Sequence, residues 1–339
     1  AVIMNKIKFY FILSMLSLAL FSCSKDKEAE VAPPREYSVQ YATDIKDIEE
    51  YLKTYYIEEV TTDFDIKISK IPTGGTQKSI WEQTTYPLKF REVNLHGLKY
   101  KLYYLVLNEG IGESPSNVDA VFTAYKGDYL QQVTKDGVTT LTVTEFDRLT
   151  IPSNFFQFTG IDAVIRGWSE FFPKLKTGIY SSNADGTVSY KDYGAGAVFI
   201  PSGLGYYSTG KGTIPAYAPL VFNVKLYEIQ RSDLDRESNG SFNPDGIPSY
   251  LEDIDGDGYL YDFRSEILYP NKPVNPDDTD GDGIPDFLDV DDDGDGYTTK
   301  LERSYKDANG KTLYYDFADI PLCTGGNGKK RHLDPKCYN

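Results

Sequence analysis

Apolar positions change period along this chain. In residues 40–57 (QYATDIKDIEEYLKTYYI), Ile45, Ile48, Tyr51, Leu52 and Tyr55 recur at helical spacing, which predicts an amphipathic helix. Residues 58–96 are mixed, with a turn at Pro72-Thr-Gly-Gly75. Alternation then takes over. Residues 100–107 (YKLYYLVL) and 118–125 (VDAVFTAY) predict strands, and further strands are expected at 139–144, 154–158, 195–200 and 219–229. One short helix fits 167–176; Pro173 inside it removes a hydrogen bond and favours a kink. Many strands around one helix make an antiparallel α+β domain.

Charge divides the chain where the alternation ends. Residues 231–339 carry 25 acidic and 12 basic side chains, a net of −13, while the first 230 carry 26 and 23, a net of −3. Between Asn275 and Gly296 ten aspartates occur with no basic residue. A total of −16 lacks the basic footprint of a nucleic-acid binder. Two histidines and three cysteines among 339 residues argue against a zinc centre and a disulfide-dense scaffold. A hydrophobic content of 40% supports a packed core.

At the start, Lys6 and Lys8 precede an apolar run from Phe9 to Phe21. A bilayer needs about 20 such residues, so this run suits the core of a secretory signal. Leu20-Phe21-Ser22-Cys23 resembles a bacterial lipobox. The resemblance implies that 1–22 is a lipoprotein signal peptide, that Cys23 is lipidated, and that 23–38 is a tether. Ser24 after the cysteine implies the outer membrane. Asp26, Glu28 and Glu30 weakly resemble surface-export signals of Bacteroidetes lipoproteins, so the protein would face the periplasm or the cell surface. An ordinary signal peptide with an incidental cysteine, and a plain solvated linker, are the blander readings. Export also places Cys323 and Cys337 where a disulfide can form, closing a loop of about 15 residues worth about 3 kcal/mol.

A family becomes visible at Val164-Ile165-Arg166-Gly167-Trp168. Ile200-Pro-Ser-Gly-Leu-Gly-Tyr206 follows, then Thr213-Ile214-Pro215 and Leu220-Val-Phe222; upstream stand Tyr125 and Phe146-Asp147. Over residues 97–230 these resemble the FKBP-type peptidyl-prolyl cis-trans isomerases. The resemblance implies an antiparallel sheet wrapped over a short helix, with an apolar pocket between them. The pocket residues would be Tyr125, Phe146, Asp147, Phe156, Val164, Ile165, Trp168, Tyr206, Ile214 and Phe222. It implies that the Trp168 indole floors the pocket, that aromatics wall it, and that the Ile165 amide and Tyr206 hydroxyl hold substrate carbonyls. Asp147 would act electrostatically near the twisted amide or orient Tyr206, with no cofactor needed for catalysis. Residues 177–194 exceed the family's usual connection and predict an inserted hairpin around Asn183-Ala-Asp-Gly186. Lys211 stands near where many family members carry histidine.

The acidic region has its own pattern. Asp278-Thr-Asp280-Gly-Asp282-Gly-Ile-Pro-Asp286-Phe-Leu-Asp289 resembles a thrombospondin type-3 calcium repeat. It continues into Asp291, Asp293, Asp295 and Glu302, which match a calcium-loop spacing: alternate carboxylates converge on one hard cation and Gly296 permits the turn. An earlier, weaker copy holds Asp245, Asp253, Asp255 and Asp257, with Arg264 where the later copy has Glu302. Interleaved glycines and the repeated Gly-Ile-Pro set this region apart from a solvated acidic linker. A structural role for Ca2+ is expected.

The chain thus reads as a signal peptide (1–22), a tether (23–38), an N-terminal helical and mixed region (39–96), an FKBP-like isomerase domain (97–230) and a loop-rich calcium-binding tail (231–339). The expected function is proline isomerisation in exported polypeptides at the outer membrane. The alternatives keep the fold without turnover, as a proline-peptide binding module or as an accessory lipoprotein docking on an outer-membrane barrel, secretion or assembly complex.

Overall fold

Helix α1 spans Tyr37–Thr54 in the computed structural model, which describes residues 33–337. The expected signal peptide and Cys23 lie outside the described residues. The predicted face of α1 is buried through Ile48, Tyr51 and Leu52. The helix stops three residues before the expected 57, because Tyr55-Tyr56-Ile57 open a β-prone run that becomes strand β1 (Tyr55–Val60), paired with β2 (Ile66–Lys70).

The main sheet is built from β3 (Lys89–Leu95), β4 (Leu98–Asn108), β5 (Ala120–Lys135), β6 (Val138–Leu149), β7 (Phe156–Gln157), β10 (Gly194–Ile200) and β11 (Leu220–Gln230). Its order is β3-β4-β10-β11-β5-β6, with β7 on the first residues of β5. Every pairing is antiparallel. The sheet begins before the expected boundary at 97, since Lys89–Leu95 pairs along β4. The predicted hairpin in 177–194 forms as β8 (Ile179–Ser182) and β9 (Val188–Lys191), outside the main sheet.

Alternation sorts the strands between two cores. Tyr100, Leu102, Val198, Ile200, Leu220 and Phe222 join Trp168, Phe171 and Phe172 on one face. Tyr103, Leu105, Ala197, Phe199 and Val221 join Ile48, Tyr51 and Leu52 of α1 on the other. All seven residues of β10 are buried, as expected for a central strand covered on both sides. Helix α2 (Arg166–Phe171) is shorter than predicted. The chain tightens into a 3-10 turn at Phe172–Lys174, where Pro173 has no N–H to continue the ladder. Gly167 lets α2 close on β10, since a Cβ there would meet the Ile200 side chain at 2.5 Å.

The acidic tail packs on this body, and Glu36–Asn339 form one contact unit. The tail is loop-rich, with a short helix α3 (Thr299–Glu302) and a hairpin of β12 (Ser304–Lys306) and β13 (Thr312–Tyr314). Glu170 of α2 is fully buried and meets Arg91 Nε at 3.0 Å and Arg166 Nε at 2.8 Å. From the tail, the Tyr261 hydroxyl donates to Glu170 at 2.9 Å, and the Tyr259 hydroxyl donates to its carbonyl at 2.9 Å. Asn117 and Leu260 exchange two hydrogen bonds of 2.8 and 2.7 Å. Cys323 and Cys337 are disulfide-bonded.

Helix α1 also fixes the loop that follows β10. Ser202 donates its amide (2.7 Å) and hydroxyl (2.6 Å) to Asp44, and Gln40 donates to the other oxygen at 2.6 Å. Burial outweighs these bonds and pushes the Asp44 carboxyl up to about 6. The native chain therefore holds an extra proton between the unfolded value of about 4 and pH 6, so this contribution to stability falls as pH rises through that window. We expect wild type to lose up to about 3 kcal/mol more than Asp44→Asn between pH 4 and 6.5, read by urea unfolding at fixed calcium. Parallel curves for the two proteins would refute this.

Candidate functional site

A cavity of about 860 Å³ opens between the sheet and α2, and all ten expected pocket residues line it. Trp168 is its floor, only 4% exposed. Around the indole stand Tyr125 (5.2 Å between ring centroids), Phe222 (5.2 Å) and Phe156 (5.5 Å), each at a steep interplanar angle. Such edge-to-face packing is favoured by the ring quadrupoles and holds the walls upright. Phe146 meets Phe222 the same way at 5.5 Å. The indole N–H is buried without a hydrogen-bond partner. Asp162, Arg166, Lys211 and Thr213 also line the cavity, and none of the four was among the expected pocket residues.

Two local features create this wall. Successive residues of a strand point to opposite faces, yet Phe146 and Asp147 both line the cavity. The reason is a bulge: Gly127 pairs with Asp147 and Asp128 with Glu145, so Phe146 is skipped in the ladder. Gly127 then leaves room for the rings, because a Cβ there would lie 2.5 Å from Phe146 and 2.9 Å from Phe222. The second feature is the cavity lip, where Lys211 and Ile214 close a tight turn with backbone bonds of 3.1 and 2.9 Å. The Lys211 ammonium sits 5.3 Å from the Tyr206 ring centroid.

Polar groups meet these walls. The Tyr125 hydroxyl donates to Asp147 Oδ2 at 2.5 Å, and the Arg148 amide donates to Oδ1 at 2.8 Å. Asp147 thus orients Tyr125 rather than Tyr206, the second of the two roles expected for it. Burial raises the Tyr125 hydroxyl pKa, and the hydrogen bond to Asp147 adds to it. Burial also raises Tyr206, with the Asp147 charge second. Among the described residues, the Tyr206 hydroxyl and the Ile165 amide make no hydrogen bond. The cavity therefore offers aromatic walls, the free Ile165 amide and Tyr206 hydroxyl, the Trp168 indole N–H, and a polar rim with Asp162, Lys211 and Thr213.

In the tail, three loops repeat one backbone pattern. Gly258, Gly283 and Gly296 donate to Asp253, Asp278 and Asp291, five residues back, at 2.7, 3.0 and 2.9 Å. Tyr259, Ile284 and Tyr297 donate to Asp257, Asp282 and Asp295 at 2.7, 2.7 and 2.8 Å. The upstream copy, weaker in sequence, thus folds like the others. Carboxylate oxygens lie within 4.8 Å of one another in Asp278/Asp280/Asp282 and in Asp291/Asp293/Asp295. In the second group one oxygen of each aspartate is buried and unpartnered, as are both oxygens of fully buried Glu302. An all-oxygen donor set of this kind fits a hard cation such as Ca2+. Burial, then the charges of Asp293, Asp295 and Asp291, push the Glu302 carboxyl up to about 9.

Some expected ligands are placed elsewhere. Asp286 accepts from the Thr279 amide and hydroxyl, both at 2.7 Å, and Asp289 accepts from the Asp291 amide at 3.0 Å; both stand outside the groups. Asp253 and Asp255 converge with Asp277 rather than Asp257, and Asp245 converges with Asp233 and Asp235. Sequence spacing missed Asp233, Asp235 and Asp277. The first two form an isolated Asp-Leu-Asp outside any repeat, and Asp277 directly precedes a repeat without fitting its alternation.

The chain resembles known proteins in two stretches. A family model described as BamM C-terminal matches residues 243–330. Over half its length the chain is homologous, at low identity, to FKBP-type peptidyl-prolyl cis-trans isomerases named FkpA. It is 26% identical to the Escherichia coli K12 protein over 179 residues, covering 51% of this chain and 56% of that one. To the Aeromonas hydrophila protein it is 27% identical over 187 residues, covering 54% and 60%. The chain thus spans little more than half the length of these curated relatives. Among solved structures, FkpA from Escherichia coli is 30% identical over 38% of this chain and 48% of its own, with a TM-score of 0.27. A Pseudomonas syringae peptidyl-prolyl cis-trans isomerase is 18% identical over 59% of this chain and 100% of its own, with a TM-score of 0.30.

The close fit at Gly127 generates a test of the site. Gly127→Ala is expected to cost about 1–3 kcal/mol by overpacking Phe146 and Phe222. Urea unfolding reads the cost, and a shifted Trp168 emission reads the displaced walls. A variant as stable as wild type, with unchanged emission, would show that the rings are not held as described.

Proposed function

We propose that the cavity over Trp168 isomerises X–Pro bonds in exported polypeptides. The observation that carries this reading is the convergence of all ten expected residues on one open, aromatic cavity. Rotation of the bond is opposed by about 18–20 kcal/mol of lost amide resonance. The twisted amide is less dipolar than the planar one, so an apolar wall disfavours the ground state more than the transition state. The proline ring rests on the Trp168 indole between Tyr125, Phe156 and Phe222. The free Ile165 amide and Tyr206 hydroxyl hold the flanking carbonyls, and Asp147 keeps Tyr125 upright. No proton changes hands and no cofactor takes part. Homology to proteins named FkpA supports the reading.

The chain is read as a lipoprotein of Bacteroidetes type, anchored in the outer membrane through Cys23, with Ca2+ bound in the Asp278–Asp282 and Asp291–Glu302 loops as a structural ion. A second reading rests on the match of residues 243–330 to the BamM C-terminal model: the protein docks on an outer-membrane assembly complex, with or without turnover.

In a protease-coupled prolyl-peptide assay, Trp168→Ala should lower kcat/KM about 10- to 100-fold, equivalent to about 1.4–2.7 kcal/mol of lost transition-state stabilisation. Wild-type turnover no faster than the uncatalysed reaction would leave the docking reading. Calorimetric titration with millimolar calcium should show binding heat that Asp293→Asn/Glu302→Gln reduces. No heat in the wild type would remove the calcium reading of these loops.

A further inference from the structure

A second group of carboxylates lies where the sheet hands over to the tail. Oxygens of Asp233, Asp235 and Asp245 lie within 4.8 Å of one another. Each residue fixes one oxygen on a backbone amide: Asp233 on Gly246 (3.0 Å), Asp235 on Asp245 (3.2 Å) and Asp245 on Ile247 (2.5 Å). The remaining oxygen of each is buried and has no partner. Two more carboxylates neighbour the group. Glu252 is 3% exposed and Asp292 is 2% exposed; both Glu252 oxygens are buried without a hydrogen-bond partner, and the Asp292 carboxylate is buried with the Thr299 hydroxyl beside it. The charges of Asp235 and Asp245 act on both.

We infer that Asp233, Asp235, Asp245, Glu252 and Asp292 form a cage for a hard divalent cation of the calcium class, distinct from the Asp278/Asp280/Asp282 and Asp291/Asp293/Asp295 groups. Buried like charges without sufficient counter-charge are unfavourable. Arg303 and Lys300 act on Asp245 from nearby, but among the described residues neither makes an ion pair with the group. Arg303 donates to the carbonyls of Asp245 (2.8 Å) and Tyr315 (3.0 Å), and Lys300 donates to the Pro244 carbonyl (2.9 Å). The donor set is all oxygen and rich in carboxylate, with oxygens already turned inward by their amide-held partners. Calcium takes six to eight such ligands, whereas magnesium keeps much of its water.

The position gives the ion a task. Asp233 and Asp235 follow β11 directly. That segment is anchored to the body where Arg231 and the Ser232 amide reach Asp119 at 2.7 and 3.1 Å. Asp245 and Glu252 open the tail, and Asp292 belongs to its last loop. One ion thus staples the end of the sheet to the first and last repeats. The inference does not depend on isomerase activity.

The test is calcium stoichiometry and thermal midpoint of the full-length chain in detergent, in calcium, in magnesium and in EGTA. Asp235→Asn/Glu252→Gln should lower the calcium stoichiometry by at least one. Its midpoint should be at or above wild type in EGTA, where repulsion is relieved, and below wild type in saturating calcium. Asp293→Asn/Glu302→Gln should lose its own ion and keep the cage's. If only the loop variant loses calcium, the cage is overturned and the loop reading stands; if only the cage variant does, the reverse holds. Equal calcium-induced shifts in the cage variant and wild type would overturn the cage, as would a magnesium shift equal to calcium's. A cage variant unfolded in EGTA, where wild type is folded, would assign these carboxylates a role other than ion binding.

Discussion

The buried carboxylate of Glu170 ties together parts of the chain that are far apart in sequence. Arg91 comes from strand β3, Arg166 from the first turn of the cavity helix, and Tyr259 and Tyr261 from the acidic tail. A charge removed from water is tolerated only when it is paired and hydrogen-bonded, and here both oxygens are engaged. The Arg91 guanidinium lies 3.3 Å above the Tyr259 ring, so the tail also covers the cation's face. Arg166 reaches the Tyr269 hydroxyl at 2.9 Å while lining the cavity. The geometry of the cavity helix is therefore set from both sides, by the sheet beneath and by the tail beside it.

Much of the fold was legible in the sequence because periodicity reports burial. The α1 stripe of Ile48, Tyr51 and Leu52 and the alternation in β4, β10 and β11 found their cores as expected. Boundaries were less legible where two propensities compete. Tyr55-Tyr56-Ile57 continues the helical spacing of α1 and is also β-prone, and tertiary pairing with β2 decided for the strand. Strand β3 was hidden in the mixed residues 58–96, since its pairing with β4 is a long-range fact. The packing of α1 on the second face of the sheet was equally invisible, although the amphipathic stripe announced that some partner existed.

The site was readable through ordered motifs, and its fine geometry was not. The ten pocket residues were named from resemblance and share one cavity. Which hydroxyl Asp147 would engage depended on the bulge that skips Phe146, and no residue pattern in β6 advertises that bulge. In the tail, alternation located the loops. Their convergence with Asp233, Asp235 and Asp277 depended on how the segments stack, which spacing along the chain does not encode.

The glycines under the cavity set its evolutionary latitude. Gly127 and Gly167 already carry the smallest possible side chain, and any larger one collides with Phe146 or Ile200. Variation at these positions runs in a single direction, toward a shallower basin or a displaced helix, and never toward a deeper one. Variation in the character of the cavity is therefore channelled to its rim, to Asp162, Lys211 and Thr213, whose side chains are exposed.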